Sequence, residues 1–155
     1  MKNNDRVIAV GSDGAGYRLK TAVKEYLSLL GYKTIDCGTD SEASCDYPDF
    51  AVKCCLEVTA GHADLGILCC GTGVGMSIAA NKVKGIRAAC CSDTFSARFT
   101  RLHNNANVLC MGQRVVGEGL AKELVSAFLE GEFEGGRHER RVNKLTEIEN
   151  GKTRF

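Results

Sequence analysis

Five short, mostly apolar runs are spaced along the chain: Arg6–Gly11 (RVIAVG), Lys33–Asp36 (KTID), Asp64–Cys69 (DLGILC), Ile86–Cys90 (IRAAC) and Asn107–Met111 (NVLCM). Between them the apolar residues recur at helical spacing. Leu19, Val23, Tyr26, Leu27 and Leu30 mark a helix over Tyr17–Leu30 that Gly31 stops. Pro48 opens a second helix reaching about Ala60, ahead of Gly61. A third begins inside the glycine run 71–75 and reaches Lys82, a fourth covers Thr94–Leu102 behind Ser92 and Asp93, and a fifth covers Glu118–Glu130. A polar helix over Arg137–Asn150 follows Glu134-Gly135-Gly136. Strands that read as continuous apolar runs, each followed by a crossover helix, specify a parallel sheet covered on both faces. The expected architecture is therefore α/β: a doubly wound, five-stranded parallel sheet in a Rossmann-like three-layer sandwich, with an added C-terminal helix.

At 155 residues such a chain buries roughly two-thirds of its unfolded surface and forms one domain, residues 1–155, without staples. No linker, repeat or low-complexity stretch divides it, and the one long non-periodic segment is Cys37–Tyr47. Twenty basic against nineteen acidic residues leave a net charge of +1, which excludes a strongly basic nucleic-acid module. No apolar run approaches 18 residues, so no membrane partner is expected, and the first residues lack the apolar stretch of a signal peptide. Nine cysteines include three adjacent pairs, Cys54-Cys55, Cys69-Cys70 and Cys90-Cys91, set in apolar runs where they serve as small hydrophobes. There is no C-x-x-C, and His62, His103 and His138 lie far from the cysteine pairs, so no metal is expected. A reducing cytoplasm is the natural compartment.

In a doubly wound sheet, ligands bind at the carboxyl ends of the strands, which directs attention to residues 11–16, 37–47, 69–75, 91–93 and 111–114. The first loop, GSDGAG, fails as a dinucleotide fingerprint because Asp13 stands where a glycine must let pyrophosphate approach. Asp13 is then either a helix cap or, by its place at a strand end, a ligand-binding carboxylate. The second loop, Cys70-Gly71-Thr72-Gly73-Val74-Gly75, follows a strand and opens a helix, so its backbone N–H groups form an anion cradle. No Gly-Lys-Ser/Thr follows, which excludes a Walker A loop. Cys70 stands at the mouth of the cradle, where N–H groups stabilise a thiolate suited to act as nucleophile or base, while Cys69 points into the core. Arg137 and Arg141, four apart on one helical face, form two forks able to hold a phosphate, and Arg114 follows the fifth strand.

Taken together, GSDGAG, DYPDFA, CGTGVGMSIAANK, GIRAA, HNNANVL, GQRVVG and EGGRHERRV resemble the ribose-5-phosphate isomerase B family, which includes the galactose-6-phosphate isomerase subunits, over residues 6–149. The resemblance implies aldose–ketose isomerisation of a sugar phosphate, ribose 5-phosphate to ribulose 5-phosphate, through an enediolate. It implies a cofactor-free homodimer with active sites shared between subunits. Carried onto this sequence, Cys70 takes the proton from C2, Gly71, Gly73, Val74 and Gly75 supply N–H groups to the enediolate oxygen, and Thr72 moves a proton between O1 and O2. His103 opens the furanose ring, Asp13 and Asn104 bind hydroxyls, and Arg114, Arg137 and Arg141 hold the phosphate, with His138 beside them.

One position departs from the pattern. In the family's ribose-5-phosphate isomerases a His usually follows the aspartate of the first loop and reaches the substrate; here that residue is Gly14. A small residue there is closer to the galactose-6-phosphate isomerase A subunit, although such subunits lack the cysteine this chain keeps at position 70. Gly14 removes a polar contact and opens space, so the alternative substrate is a six-carbon aldose phosphate. A non-catalytic sugar-phosphate-binding module is the competing reading from another class.

Overall fold

The structure is a computed structural model and describes residues 5–155, so the first four residues of the expected single unit lie outside the described ones. The strands are β1 (Val7–Ser12), β2 (Lys33–Asp36), β3 (Leu65–Cys70), β4 (Ala88–Cys90) and β5 (Val108–Gly112), all parallel, in the order β2-β1-β3-β5-β4. The helices are α1 (Tyr17–Leu29), α2 (Tyr47–Thr59), α3 (Val74–Ala80), α4 (Thr94–Asn104), α5 (Glu118–Glu130) and α6 (Arg137–Glu149), with a 3₁₀ turn over Gly14–Gly16. Among the described residues, no helix is long and apolar enough to cross a membrane.

The alternation of side chains along each strand builds two separate cores. On one face Ile8, Val10, Ile67, Cys69, Leu109 and Met111 meet Leu19, Val23 and Leu27 of α1, Ala97 of α4 and Leu124, Val125 and Phe128 of α5. On the other, Ala9, Leu68, Cys70, Val108 and Cys110 meet Ala51, Cys54 and Cys55 of α2 and Met76 and Ala80 of α3. The adjacent Cys69 and Cys70 thus fall on opposite faces of β3, both buried, in different cores. Burial in apolar surroundings raises the Cys69 thiol to about 12, which keeps it a neutral core side chain.

The strand order contains two reversals, and they position the site. After β3 the chain passes over to β4 at the edge and returns to insert β5 between them. The loops that follow β1, β3 and β5 therefore emerge side by side at the carboxyl edge, the crevice where such sheets bind ligands.

Candidate active site

At the end of β3 the chain turns sharply. Gly73 has φ +82° and φ in this left-handed region favours glycine; a Cβ there would also stand 2.8 Å from the Met111 carbonyl carbon and 2.9 Å from Cys90 Sγ. The turn brings the Gly73 N–H to Cys70 Sγ, to which it donates at 3.0 Å. Thr72 Oγ1 accepts the Val74 N–H at 3.3 Å. Two of the expected cradle donors, Gly73 and Val74, are thus engaged inside the chain by the thiol and hydroxyl beside them. The Gly75 N–H, in the first turn of α3, remains among those a helix leaves without an intrahelical acceptor.

The loop after β5 is stitched to this turn. Gln113 N donates to the Cys70 carbonyl at 2.8 Å and Arg114 N to the Gly71 carbonyl at 3.0 Å. The Arg114 guanidinium is seated over Gly71, where a Cβ would come within 3.3 Å of Nη1. On the other side the Tyr47 ring faces Gly75, 2.9 Å from where a Cβ would stand. Tyr47 is a wall residue that sequence reasoning missed; its proximity depends on the path of residues 37–47, for which no local pattern speaks. The first loop joins from β1: Asp13 caps the 3₁₀ turn, accepting the Gly16 N–H at 3.0 Å, and Gly16 lies against the backbone of Cys69 and Cys70. Asp13 is therefore a cap and a strand-end carboxylate at once.

Gly14 does not open space. Its φ is outside the left-handed region, but a Cβ would lie 2.1 Å from the Ala43 carbonyl oxygen and 2.7 Å from that of Glu42. The room expected there is filled by the backbone of the 37–47 segment, which Arg18 holds through its ion pair with Glu42.

A second cluster forms elsewhere. His103 and Asn104 close α4, and His138 and Arg141 come from α6; with Val142 and Leu145 they line a cavity of about 320 Å³. The imidazoles of His103 and His138 stack at 4.0 Å between centroids, 6° from parallel, and both approach Glu134 Oε2, at 3.7 and 3.5 Å. Glu134 was not singled out from the sequence; its role depends on a backbone bond from Glu134 N to the Leu102 carbonyl that pins it to the end of α4. Arg137 Nε lies 3.4 Å from His138 Nε2. Burial, then the nearby His103 and Arg137, holds His138 below its ordinary value and so favours its neutral form. Among the described residues Arg114, Arg137 and Arg141 are in no ion pair and are exposed, cations available to an anion. Asn105 and Asn107 are structural: Asn105 ends α4 at φ 47° and accepts from Arg101, while Asn107 bonds to Arg87 and Gly85.

The two clusters do not meet within one chain. Asn107, four residues past His103, accepts the Gly66 N–H at the beginning of β3, whereas Cys70 ends that strand. Four strand steps make roughly 13 Å along the sheet. In addition, α4 covers the face opposite to the one on which Cys70 lies. Of the residues expected in one site, Asp13, Cys70, Gly71, Thr72, Gly73, Val74, Gly75 and Arg114 assemble at the carboxyl edge. His103, Asn104, Arg137 and Arg141 assemble at the far end of α4.

Residues 8–145 match the family model described as Ribose/Galactose Isomerase. The chain belongs to the ribose/galactose isomerase family. Both clusters, from Asp13 to Arg141, fall inside the matched span. Ribose-5-phosphate isomerase B of Escherichia coli is 51% identical over 142 residues, which cover 92% of this chain and 95% of that one. D-erythrulose-4-phosphate isomerase of Pectobacterium atrosepticum is 45% identical, covering 89% and 91%. The solved structure of ribose-5-phosphate isomerase B from Clostridium thermocellum superposes with a TM-score of 0.92 at 51% identity, covering 93% and 97%. Membership in this family accounts for the α/β sheet and makes the chain an isomerase rather than a binding module.

Proposed function

We propose that the protein interconverts ribose 5-phosphate and ribulose 5-phosphate in a homodimer, each active site combining the carboxyl-edge cluster of one copy with the α4–α6 cluster of the other. The observation that carries this reading is the Cys70 turn: a thiol held by the Gly73 N–H, with the Arg114 cation beside it. His103 of the second copy opens the furanose ring by acid–base transfer at the ring oxygen. Cys70 Sγ takes the proton from C2; the electron pair moves into an enediolate, whose oxygen is stabilised by the Gly75 N–H that the first turn of α3 leaves free. Thr72 carries a proton between O1 and O2, and return of the proton to C1 completes the ketose. Asp13 and the second copy's Asn104 bind hydroxyls, while Arg114 and the second copy's Arg137 and Arg141 hold the phosphate with charge-assisted bonds.

Two features support the pairing. A base and an acid on opposite faces of one sheet cannot act on the same sugar, so the site is incomplete in a single chain. The flanking surfaces are also apolar where a second copy would seat: Phe95 is 68% exposed and stacks on Phe99, whose ring meets His103, while Val74 and Ile78 of α3 are half exposed. The pentose is favoured because the six-carbon alternative rested on room at Gly14, and the Ala43 carbonyl occupies it.

Complementation tests the proposal. Cys70→Ala and His103→Ala chains, each inactive alone, are unfolded, mixed in equal amounts and refolded. Random pairing in a twofold dimer puts one intact site in half of the dimers, so about a quarter of wild-type activity returns. The assay follows ribulose 5-phosphate formation without added metal or nucleotide. Absence of recovery would refute the shared site, and absence of wild-type turnover on ribose 5-phosphate would refute the substrate.

A further inference from the structure

We propose that Cys37 and Cys54 are a peroxide-oxidisable dithiol that closes into a disulfide, a modification site separate from the isomerase chemistry. Cys37 follows β2 and is half-buried, its N–H bonded to the Val10 carbonyl at 2.8 Å, so it stands beside Gly11 on β1. Cys54, on α2, is fully buried over the same face of the sheet. The two side chains share one core because bulk is missing around them. A Cβ on Gly11 would lie 3.5 Å from Cys54 Cβ, one on Gly66 would lie 3.2 Å from Cys54 Sγ, and one on Gly38 would touch the Phe50 ring of α2 at 3.0 Å. Glycine at 11, 38 and 66 lets α2 settle on the sheet until Cys37 packs against the buried cluster that contains Cys54.

The electrostatics of the pair are polarised. The Cys54 thiol donates to Cys37 and holds it below the ordinary thiol value, while Cys54 is raised by the same bond and by burial. Cys55, Cys69, Cys90, Cys91 and Cys110 are all shifted upward, toward the unreactive thiol. Cys37 thus combines partial access with a thiol held below its ordinary value, its Sγ otherwise donating to the Ile35 carbonyl at 3.8 Å, and its neighbour is placed to resolve what forms there. The Cys37 sulfur, as thiolate, attacks one oxygen of hydrogen peroxide and breaks the O–O bond, giving a sulfenic acid and a hydroxide that leaves as water on protonation. Cys54 then attacks that sulfur, its proton leaving with the hydroxyl as a second water. Overall two thiols and one hydrogen peroxide give one disulfide and two waters. The bond ties the beginning of the 37–47 segment to α2, closing a loop of 18 residues and restricting the unfolded chain.

The test is hydrogen peroxide treatment of the full-length protein, then trypsin digestion and mass spectrometry without reductant. Cleavage leaves Cys37 in residues 34–53 and Cys54 in residues 54–82. These two peptides are expected to link with loss of two hydrogens, and the thermal midpoint to rise by about 5–10 °C. Because the peptides also carry Cys45, Cys55, Cys69 and Cys70, variants assign the bond. The link is lost in Cys37→Ser and in Cys54→Ala and kept in Cys45→Ser and Cys55→Ala. In Cys54→Ala, Cys37 stalls as a sulfenic acid that dimedone traps. If Cys54→Ala does not fold, Cys37→Ser, which alters a half-buried side chain, carries the assignment. No link in the wild type, or a link that survives Cys37→Ser, overturns the proposal. Neither readout depends on turnover, so the outcome is independent of the assigned reaction.

Discussion

Gly14→Ala adds one methyl group in the loop after β1, and it is expected to destabilise the protein. The backbone there is open to any residue, so left-handed strain plays no part. What opposes the methyl is the 2.1 Å approach to the Ala43 carbonyl oxygen, with the Ala43 carbonyl carbon at 2.8 Å. Backbone cannot rotate away as a side chain can. Residues 42–43 must retreat by about 1 Å, against the Arg18–Glu42 pair. Overpacking of this kind costs roughly 3 kcal/mol at the upper end of its usual range. Restricting the unfolded chain returns about 0.5–1 kcal/mol, leaving a net loss near 2 kcal/mol. For a chain of this size that corresponds to a fall of about 4–8 °C in the thermal midpoint. Gly119→Ala is the control: its Cβ meets nothing and lies inside α5, so it is expected to stabilise by about 0.5–1 kcal/mol. Urea unfolding of both variants, with ribose 5-phosphate kinetics alongside, decides the matter. Gly14→Ala with an unchanged midpoint, or Gly14→His with a lower KM, would refute the close contact as the reason for glycine.

Two further outcomes follow from the same geometry. Cys70→Ala is expected to abolish turnover while leaving equilibrium binding of the sugar phosphate nearly intact, whereas Cys69→Ala keeps turnover and loses about 1–2 kcal/mol to a small cavity; equal activity in both would remove Cys70 from proton transfer. Asp36→Asn strips the carboxylate from buried Lys20, whose Nζ lies 2.9 Å from Asp36 Oδ1 and 2.6 Å from the Thr39 carbonyl. The cost is about 2–3 kcal/mol, below that of a fully enclosed pair because Asp36 is partly exposed. Burial pushes the Asp36 carboxyl up, but bonds from Lys24, Lys20 and the Gly38 N–H outweigh it and hold the group below its usual value. The stabilisation is therefore present above the ordinary carboxylate range and lost as pH falls through the lowered one. Urea midpoints at pH 7 and pH 3 are expected to differ less in Asp36→Asn than in the wild type, and an equal difference would discount this carboxylate.

The fold was legible because periodicity survives without tertiary context. Every expected strand and helix forms, with ends shifted by about two residues or fewer in most cases. The helix expected to begin within residues 71–75 starts at Val74, late in that run, because Gly71–Gly73 form the turn that holds Cys70. Strand order was not legible. Nothing local to Val108–Gly112 says that it inserts between β3 and β4, since its neighbours on both sides are equally apolar.

Of the site, the residue types were legible and their distribution was not, although the rule that separates them was available. A crossover helix begins at the carboxyl edge of a sheet and must return to the amino edge before the next parallel strand. Asp93 caps α4 at its beginning and His103 lies near its end, only five residues before β5 begins. Any residue so placed lies across the sheet from a strand-end base such as Cys70, whatever the side chains between them. The two-copy site proposed above follows the same rule, since it takes the residue at the helix end from one copy and the strand-end thiol from the other. Gly14 and the Cys37–Cys54 pair are of a different kind. Each depends on where one long non-periodic segment runs, and no periodicity constrains residues 37–47. The segment fills space over Gly14 and begins at the thiol that meets α2, so the sequence shows the glycine and the cysteines while the contacts that give them meaning arise only in three dimensions.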